Sequence, residues 1–334
     1  MKIFVTGIAG FLGGHIADKL IRLGHDVSGC DNLIGGYLDN VPSEAEFFQV
    51  DAIYLNQMKK MTKDSDILVH TACTAYEGLS VFSPYLVGQN TYQISMSAFT
   101  AAASNSVSKV INCSSMARYG EQEVTPFTED MIPKPQDPYG IAKLASEETL
   151  KVLSNVHNFD YVNLVPHNII GPNQKYDDPY RNVVSIMINR ILNDKSPIIY
   201  GDGEQVRCFS DIDDVVNPLI NSITNDNAIG ETINVGPDEN AISINQLADI
   251  VLKTLNSNLE PIYVDERPQE VKFAHCSADK ARDLLGYNTT VNLEESITKI
   301  AEWIISKGKK DFRYHLDVEI LNNRTPKTWK DKLI

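Results

Sequence analysis

The sequence lacks most features that mark a secreted, membrane or metal-binding protein. Its 334 residues include five cysteines, an odd number without a CxxC pair, so we expect reduced, mostly buried thiols and no zinc site. No apolar run approaches the ~18 residues that a membrane helix needs. The N-terminus, MKIFVTGIAG, has no apolar stretch of the signal-peptide kind. We therefore expect a cytoplasmic protein with no membrane partner.

Positive charge is also scarce. The chain has 30 lysines and arginines against 44 acidic residues, a net charge of −14, which argues against a nucleic-acid partner. A small anionic ligand remains compatible with this charge, because helix N-termini and a few local arginines can bind one. With 43% hydrophobic residues, the composition is typical of a folded globular protein.

The first half of the chain alternates strand-like and helix-like patterns. Strands are predicted at 2–7, 25–31, 45–51, 66–72, 109–115 and 161–167, and helices near 11–23, 55–62, 86–105 and 138–156. Alternation of this kind is typical of a parallel sheet with helices on both faces. We predict a Rossmann-type, doubly wound α/β domain.

After residue 167 the pattern becomes irregular, and helices are predicted at 181–194, 213–225, 243–256, 277–285 and 293–307. We expect a smaller mixed α/β lobe at the carboxyl ends of the strands, where ligands bind in such sheets. The predicted division is 1–167 for the cofactor domain, with 213–237 packing back onto it, and 168–212 plus 238–334 for the substrate lobe. The last residues, 311–334, have no predicted function.

A glycine-rich turn follows the first strand. Gly7, Gly10 and Gly13 are spaced as GxxGxxG before a helix, which allows a pyrophosphate to approach the backbone at the helix N-terminus. Asp31 ends the second strand, where a carboxylate accepts hydrogen bonds from an adenosine ribose and repels a 2′-phosphate. The pattern predicts NAD rather than NADP; the alternative is an ordinary turn with a capping aspartate.

A tyrosine and a lysine stand four residues apart in DPYGIAKLASEE. Tyr139 and Lys143 share one face of the helix that Pro138 begins. A free phenol is a poor base at neutral pH, but a neighbouring ammonium favours its phenolate. The pair could therefore take a proton from a sugar hydroxyl, although such a pair alone is more often a surface contact.

These motifs together resemble the extended short-chain dehydrogenase/reductase family, and in particular its nucleotide-sugar epimerases and dehydratases of the UDP-glucose 4-epimerase type. The resemblance includes HTA (70–72), SSMARYG (114–120), PYGIAK (138–143), PHNIIGPNQ (166–174), YGDGEQVRCFSDIDDV (200–215) and RPQEV (267–271). It implies that Ser115, Tyr139 and Lys143 are catalytic and that NAD is tightly bound.

The resemblance also implies two sets of binding residues. Those for NAD are Gly7, Gly10, Phe11, Leu12, Gly13, Asp31, Asn32, Asp51, Ala52, Thr71, Ala72, Asn90, Tyr139 and Lys143. Those for a nucleoside diphosphate sugar (UDP, GDP or dTDP) are Ser115, Met116, Asn168, Arg207 and Arg267. Guanidinium groups match a diphosphate well, but the two arginines could instead form salt bridges with neighbours such as Asp211 or Glu266. His167 stands where relatives carry an aromatic residue, and its role is left open.

The two residues after Ser115 in SSMARYG, Met116 and Ala117, limit which reaction the site can catalyse. Dehydratases and decarboxylases of this family use an acidic residue at the positions of Met116 and Ala117, and neither side chain can transfer a proton. The simplest remaining chemistry is 4-epimerisation. The sugar C4 is oxidised, the 4-keto sugar rotates about its phosphate link, and the hydride returns to the other face of C4. The alternative is net oxidation at C4. A 4,6-dehydratase, a decarboxylase and a non-catalytic NAD-binding regulator are less favoured.

By the same resemblance, the segments 86–105 and 138–156 are expected to pair with a second copy in a four-helix bundle, giving a homodimer.

Overall fold

The computed structural model describes residues 1–334. Its strands are β1 (Lys2–Thr6), β2 (Asp26–Cys30), β3 (Glu46–Phe48), β4 (Ile67–His70), β5 (Lys109–Cys113), β6 (Asp160–Pro166), β7 (Ile169–Ile170), β8 (Ile198–Tyr200), β9 (Val206–Arg207), β10 (Ser210–Asp211), β11 (Thr232–Val235), β12 (Ile242–Ser243), β13 (Ile262–Val264) and β14 (Phe273–Ala274). Its helices are α1 (Phe11–Arg22), α2 (Leu55–Met61), α3 (Glu77–Ser80), α4 (Pro84–Gly88), α5 (Ile94–Ser104), α6 (Pro138–His157), α7 (Val183–Leu192), α8 (Ile212–Thr224), α9 (Ile244–Thr254), α10 (Asp279–Leu285), α11 (Leu293–Lys307) and α12 (Lys327–Lys330).

Seven strands form one central sheet in the order β11-β6-β5-β4-β1-β2-β3. Every neighbouring pair is parallel. The strand order reverses between β1 and β4, which creates the crevice where ligands bind in open sheets of this type. The predicted Rossmann-type fold is confirmed.

Helices cover both faces of the sheet because its strands are apolar on both sides. One core contains side chains of α1, α8 and α10, among them Leu20 and Leu219. The opposite core contains side chains of α2, α5 and α6, among them Phe99 and Leu150. Both cores hold strand residues as well, so β1 and its neighbours are buried between two helical layers.

Helix α6 carries the Tyr139–Lys143 pair and has strong end signals. The Asp137 carboxylate accepts a hydrogen bond from the Gly140 N–H at 2.9 Å, and Pro138 occupies the first helical position. The helix ends before Asn158, which adopts a left-handed φ of 57°. Its first turn is therefore fixed in position where it meets the end of β5.

The helix predicted over 86–105 is interrupted. Between α4 and α5, residues Gln89–Gln93 form a π-helical turn. The Asn90 carbonyl accepts a hydrogen bond from the Thr74 N–H at 3.1 Å, so the wider turn supplies a main-chain contact to the segment that follows β4. Periodicity could not show this break, because apolar spacing continues through it.

Smaller elements complete the molecule. Three short sheets, β10-β7, β12-β9-β14 and β13-β8, accompany a third core formed by α7, α9 and α11. Strand β11 extends the main sheet, and α10 packs against that sheet although it lies within the range predicted for the small lobe. The two-lobe division stays a prediction. No helix is long and apolar enough to cross a membrane.

Candidate active site

A cavity of about 460 Å³ opens at the carboxyl ends of the central strands, between the sheet and the segments of the second half. All the residues named as cofactor or substrate contacts from the sequence line it. They come from segments as distant in the chain as Gly7 and Arg267. The structure therefore brings the predicted set together in one place, while their individual roles stay predictions.

The glycine turn forms one end of the cavity. Gly7 has φ +75°, and a Cβ on Gly13 would lie 2.1 Å from the Gly7 carbonyl oxygen, so neither position tolerates a side chain. Helix α1 follows Gly10 without a side-chain cap, which leaves the N–H groups of its first turn available to a ligand. This arrangement fits a dinucleotide pyrophosphate.

Acidic side chains stand beside the turn. The Asp31 carboxylate accepts hydrogen bonds from the Ala9 N–H at 3.1 Å and the Leu33 N–H at 2.7 Å, and burial raises its pKa. The Asn32 side-chain amide donates to the Asp51 carboxylate at 2.8 Å. Asp31 is thus held in a fixed orientation at the cavity wall, as recognition of a ribose requires.

Ser115, Tyr139 and Lys143 line the cavity close to one another. The Lys143 ammonium donates to the Cys113 carbonyl at 2.7 Å and lies 5.9 Å from the centre of the Tyr139 ring. The Ser115 hydroxyl accepts a hydrogen bond from the Ala117 N–H at 3.2 Å. Ser115 therefore caps a 3-10 turn, Met116–Arg118, directly after β5, which fixes its hydroxyl near the tyrosine.

The surroundings of the Tyr139 phenol make it a weak acid. Burial raises its pKa well above the ordinary value, Cys73 and Glu77 raise it further, and a hydrogen bond with Ser115 works in the opposite direction. These contacts alone keep the phenol protonated at neutral pH. Base function needs additional positive charge near the ring, which a bound oxidised nicotinamide would supply next to Lys143.

Arg118 is buried, with 5% of its surface exposed. Its Nε lies 3.1 Å from a Glu147 carboxylate oxygen, and its guanidinium lies 4.9 Å from the centre of the Tyr119 ring. The Ser114 hydroxyl donates to the same Glu147 carboxylate. Arg118 is thus almost fully shielded from solvent and does not line the cavity. Its ion pair connects the turn after β5 to α6, the helix that carries Tyr139.

Asn168, a predicted substrate contact, lies in the cavity wall beside Met116. It adopts a left-handed φ of 44°, and its side-chain amide donates to the Cys208 carbonyl at 3.0 Å. The Met116 sulfur lies 3.8 Å from the same amide nitrogen. Asn168 and Met116 therefore form a continuous part of the wall.

Arg207 and Arg267 share a carboxylate, but it is neither of the neighbours considered from the sequence. Both pair with Glu270, Arg267 at 2.7 Å and Arg207 at 3.9 Å. Burial alone would lower the pKa of Arg267, but Glu270 outweighs it and raises that pKa. Glu77 also interacts with both arginines and with Arg181. Three guanidinium groups therefore stand against the carboxylates of Glu77 and Glu270, and the remaining positive charge suits a diphosphate.

His167 is a packing residue. It is buried, does not line the cavity, and its Nε2 lies 2.9 Å from the Pro237 carbonyl oxygen. Burial lowers the pKa of His167 to about 4, so the ring is neutral at physiological pH.

The cysteines are all unpaired; four are buried and Cys73 is half-buried.

Three cavity residues near Tyr139 were not found from the sequence: Cys73, Glu77 and Arg181. Burial and Asp137 raise the pKa of Glu77, against the effect of three arginines that include Arg181. No motif marks these positions. The one available signal is that Cys73 and Glu77 lie in the segment between β4 and the first turn of α3, at the edge where parallel strands present their ligands.

Comparison with known proteins places the chain in a family. The sequence model of the NAD dependent epimerase/dehydratase family matches residues 3–236. The chain therefore belongs to this family of extended short-chain dehydrogenase/reductase enzymes, and NAD is its cofactor.

Individual relatives give a finer comparison. The chain is 33% identical to a UDP-N-acetylglucosamine 4-epimerase from Methanobrevibacter ruminantium M1, with a TM-score of 0.85. It is 30% identical to a UDP-glucose 4-epimerase from Thermotoga maritima solved with UDP-glucose, with a TM-score of 0.86. Both matches cover 92% of this chain and 99% of the other. A UDP-glucose 4-epimerase of Mycolicibacterium smegmatis is 28% identical over 92% of this chain and 100% of its own length.

Proposed function

We propose that this protein is an NAD-dependent nucleotide-sugar 4-epimerase, with UDP-sugars as substrates. The observation that carries the proposal is the meeting of Ser115, Tyr139 and Lys143 in one cavity, beside a turn whose Met116 and Ala117 offer no acid or base. This set supports oxidation and reduction at one carbon. The choice of UDP rests on relatives whose names specify UDP-sugars.

The residues of this chain supply binding and proton transfer. The glycine turn would hold the cofactor pyrophosphate, and Asp31 would hold the adenosine ribose. NAD, when bound, supplies the acceptor and later the donor of the hydride at the sugar C4.

Tyr139 takes the proton of the C4 hydroxyl and returns it after the 4-keto sugar has rotated to present its other face. Ser115 shares a hydrogen bond with the same sugar oxygen, and Lys143 provides the positive charge that favours the Tyr139 phenolate. Arg207 and Arg267 hold the diphosphate, about which the sugar rotates. At the end of these steps each side chain has its starting protonation state, as a redox-neutral isomerisation requires.

The test is incubation of the purified protein with a panel of UDP-, GDP- and dTDP-sugars. We expect the C4 epimer of at least one UDP-sugar by NMR, at catalytic turnover and without a rise of the NADH absorbance band. Stoichiometric 4-keto product together with accumulated NADH would instead establish the C4 dehydrogenase. Turnover of no sugar at all would favour the non-catalytic regulator.

Lys143→Met should change the pH dependence of turnover. Base function needs the Tyr139 phenolate, and its fraction falls about tenfold for each pH unit below the pKa of the phenol. Without the Lys143 ammonium that pKa rises, so the acidic limb of the kcat profile should move to higher pH. Along this limb, at pH values below the pKa of the phenol, the variant's kcat should increase about tenfold per pH unit.

The measurement is kcat against pH, between about pH 6 and pH 9, for the wild type and the variant. Lys151→Met is the matched control, since Lys151 is an exposed lysine on α6 that does not line the cavity. Its profile should match the wild type. A Lys143→Met profile that coincides with the wild type would contradict the role given to Lys143.

We further propose a homodimer formed by α5, α6 and the turns before α5. Apolar side chains on α6 stand in solvent, including Ile141, Val152 and Val156, with exposed fractions of 54%, 59% and 69%. Val152 and Val156 are one helical turn apart and share a face. A second copy would cover them, and a monomeric mass by light scattering would contradict this proposal.

A further inference from the structure

The terminal segment, defined as residues 311–334, folds back onto the wall of the cavity. Trp329 is 3% exposed and its ring centre lies 5.8 Å from that of Tyr180 and 6.1 Å from that of Phe82. Its indole N–H donates to the Pro179 carbonyl at 3.3 Å. Trp329 and Ile334 both line the cavity, so this segment is part of its wall.

The segment is attached at several points. The Tyr180 hydroxyl donates to the Leu316 carbonyl at 2.8 Å. The Arg190 guanidinium donates to the Leu333 carbonyl at 3.0 Å. Burial of the aromatic side chain between these contacts means that the segment has a defined position rather than a loose one.

The terminal segment touches the surroundings of the predicted diphosphate site. The hydroxyls of Tyr200 and Thr328 lie 2.6 Å apart, and the Arg267 guanidinium lies 4.5 Å from the centre of the Tyr200 ring. A Cβ on Gly78 would lie 3.3 Å from the Trp329 ring and 3.5 Å from the Arg267 guanidinium. Trp329 and Arg267 are therefore close neighbours on one wall.

The order of sugar, diphosphate and nucleoside in the substrate indicates which part of it reaches Trp329. In a nucleoside diphosphate sugar, the diphosphate joins the sugar to the nucleoside. With the sugar at Tyr139 and the phosphates at Arg207 and Arg267, the nucleoside extends beyond the arginines. Next to Arg267 the cavity is lined by Tyr200 and Trp329. Ile198 and Ile334 pack in the same cluster as Trp329, and apolar and aromatic surfaces of this kind bind a flat heteroaromatic ring.

We propose that the terminal segment forms a wall of the nucleoside subsite, in which Trp329 and Ile334 contact the base or ribose of the nucleoside diphosphate sugar. This inference rests on the proposed function and makes the segment a determinant of nucleotide affinity. The contacts belong to a part of the substrate that does not react, so their loss should weaken binding without altering the cofactor end of the cavity.

The experiment measures binding of UDP, GDP and dTDP by isothermal titration calorimetry to the full-length protein with its NAD. We expect Trp329→Ala and Ile334→Ala each to raise the Kd of the tightest-binding diphosphate about tenfold, or ~1.4 kcal/mol. NAD content should stay at the wild-type value. Trp329→Phe keeps an aromatic ring and should restore most of the affinity. Leu321→Ala is the control, because Leu321 lies in the same segment but is 63% exposed and does not line the cavity.

Unchanged Kd values in both alanine variants would overturn the inference. Should Trp329→Ala fail to fold, Ile334→Ala decides the matter, because Ile334 is at the edge of this cluster. Equal weakening by Leu321→Ala would also overturn it, since that would indicate general loosening of the segment. A wild type that binds a nucleoside diphosphate but converts no sugar would refute the proposed function alone.

Discussion

Replacing Tyr139 by phenylalanine is expected to lower kcat by about 10³-fold, because general base catalysis of this kind contributes roughly 10² to 10⁴. The substitution removes a hydroxyl and keeps the ring, which is 4% exposed and packed in the wall. The affinity for UDP and the NAD content should therefore stay unchanged. The measurement is kcat by NMR with the best sugar of the panel, together with the Kd of UDP by calorimetry.

The control is Tyr287→Phe. Tyr287 is 1% exposed and its hydroxyl lies 3.2 Å from that of Thr289, but it does not line the cavity. Tyr287→Phe removes a phenol hydroxyl just as Tyr139→Phe does, but it should leave kcat at the wild-type value. If Tyr139→Phe also retained kcat within about threefold, Tyr139 would not be the base.

Gly13→Ala is expected to yield a protein without bound NAD and without turnover. The added Cβ would lie 2.1 Å from the Gly7 carbonyl oxygen and 2.9 Å from the Thr71 hydroxyl. A main-chain oxygen cannot move aside as the end of a flexible side chain can, so the turn itself must open. The N–H groups of the first turn of α1 would then no longer converge on one anion. The measurement is the NAD released on denaturing the purified variant.

Gly88→Ala is the matched control. A Cβ there meets nothing within 4 Å, and alanine is favoured over glycine in a helix such as α4. This variant should retain NAD and activity. A Gly13→Ala protein that carries a full complement of NAD would show that the glycine turn does not hold the pyrophosphate.

Much of the fold was predictable because its causes are local. The glycines around Gly7, the strand pattern of β1 and the Pro138 start of α6 each follow from a few adjacent residues. The strands and helices of the first half lie within a few residues of the predicted ranges. The same local motifs also pointed to residues that the structure places in one cavity.

What the sequence could not show depends on pairing between distant residues. Arg118 and Glu147 are 29 positions apart, and their buried ion pair exists because β5 and α6 pack together. Glu270 as the shared partner of Arg207 and Arg267 depends on the pairing of β9 with β14. The approach of Trp329 to the cavity depends on the path of a segment with no periodic pattern. Each is a tertiary contact that propensity and spacing do not encode.

The strand that completes the central sheet has a consequence for how the protein is made. The chain leaves the sheet after β6 at Pro166 and returns with β11 at Thr232, which pairs beside β6 in parallel. One edge of β6 pairs with β5. During synthesis, its other edge therefore stays unpaired until more than sixty further residues have left the ribosome. An unpaired apolar edge is a template for aggregation. The central sheet is thus not formed by a contiguous piece of chain, and we expect a chain cut after β6 to lack the strand that covers this edge.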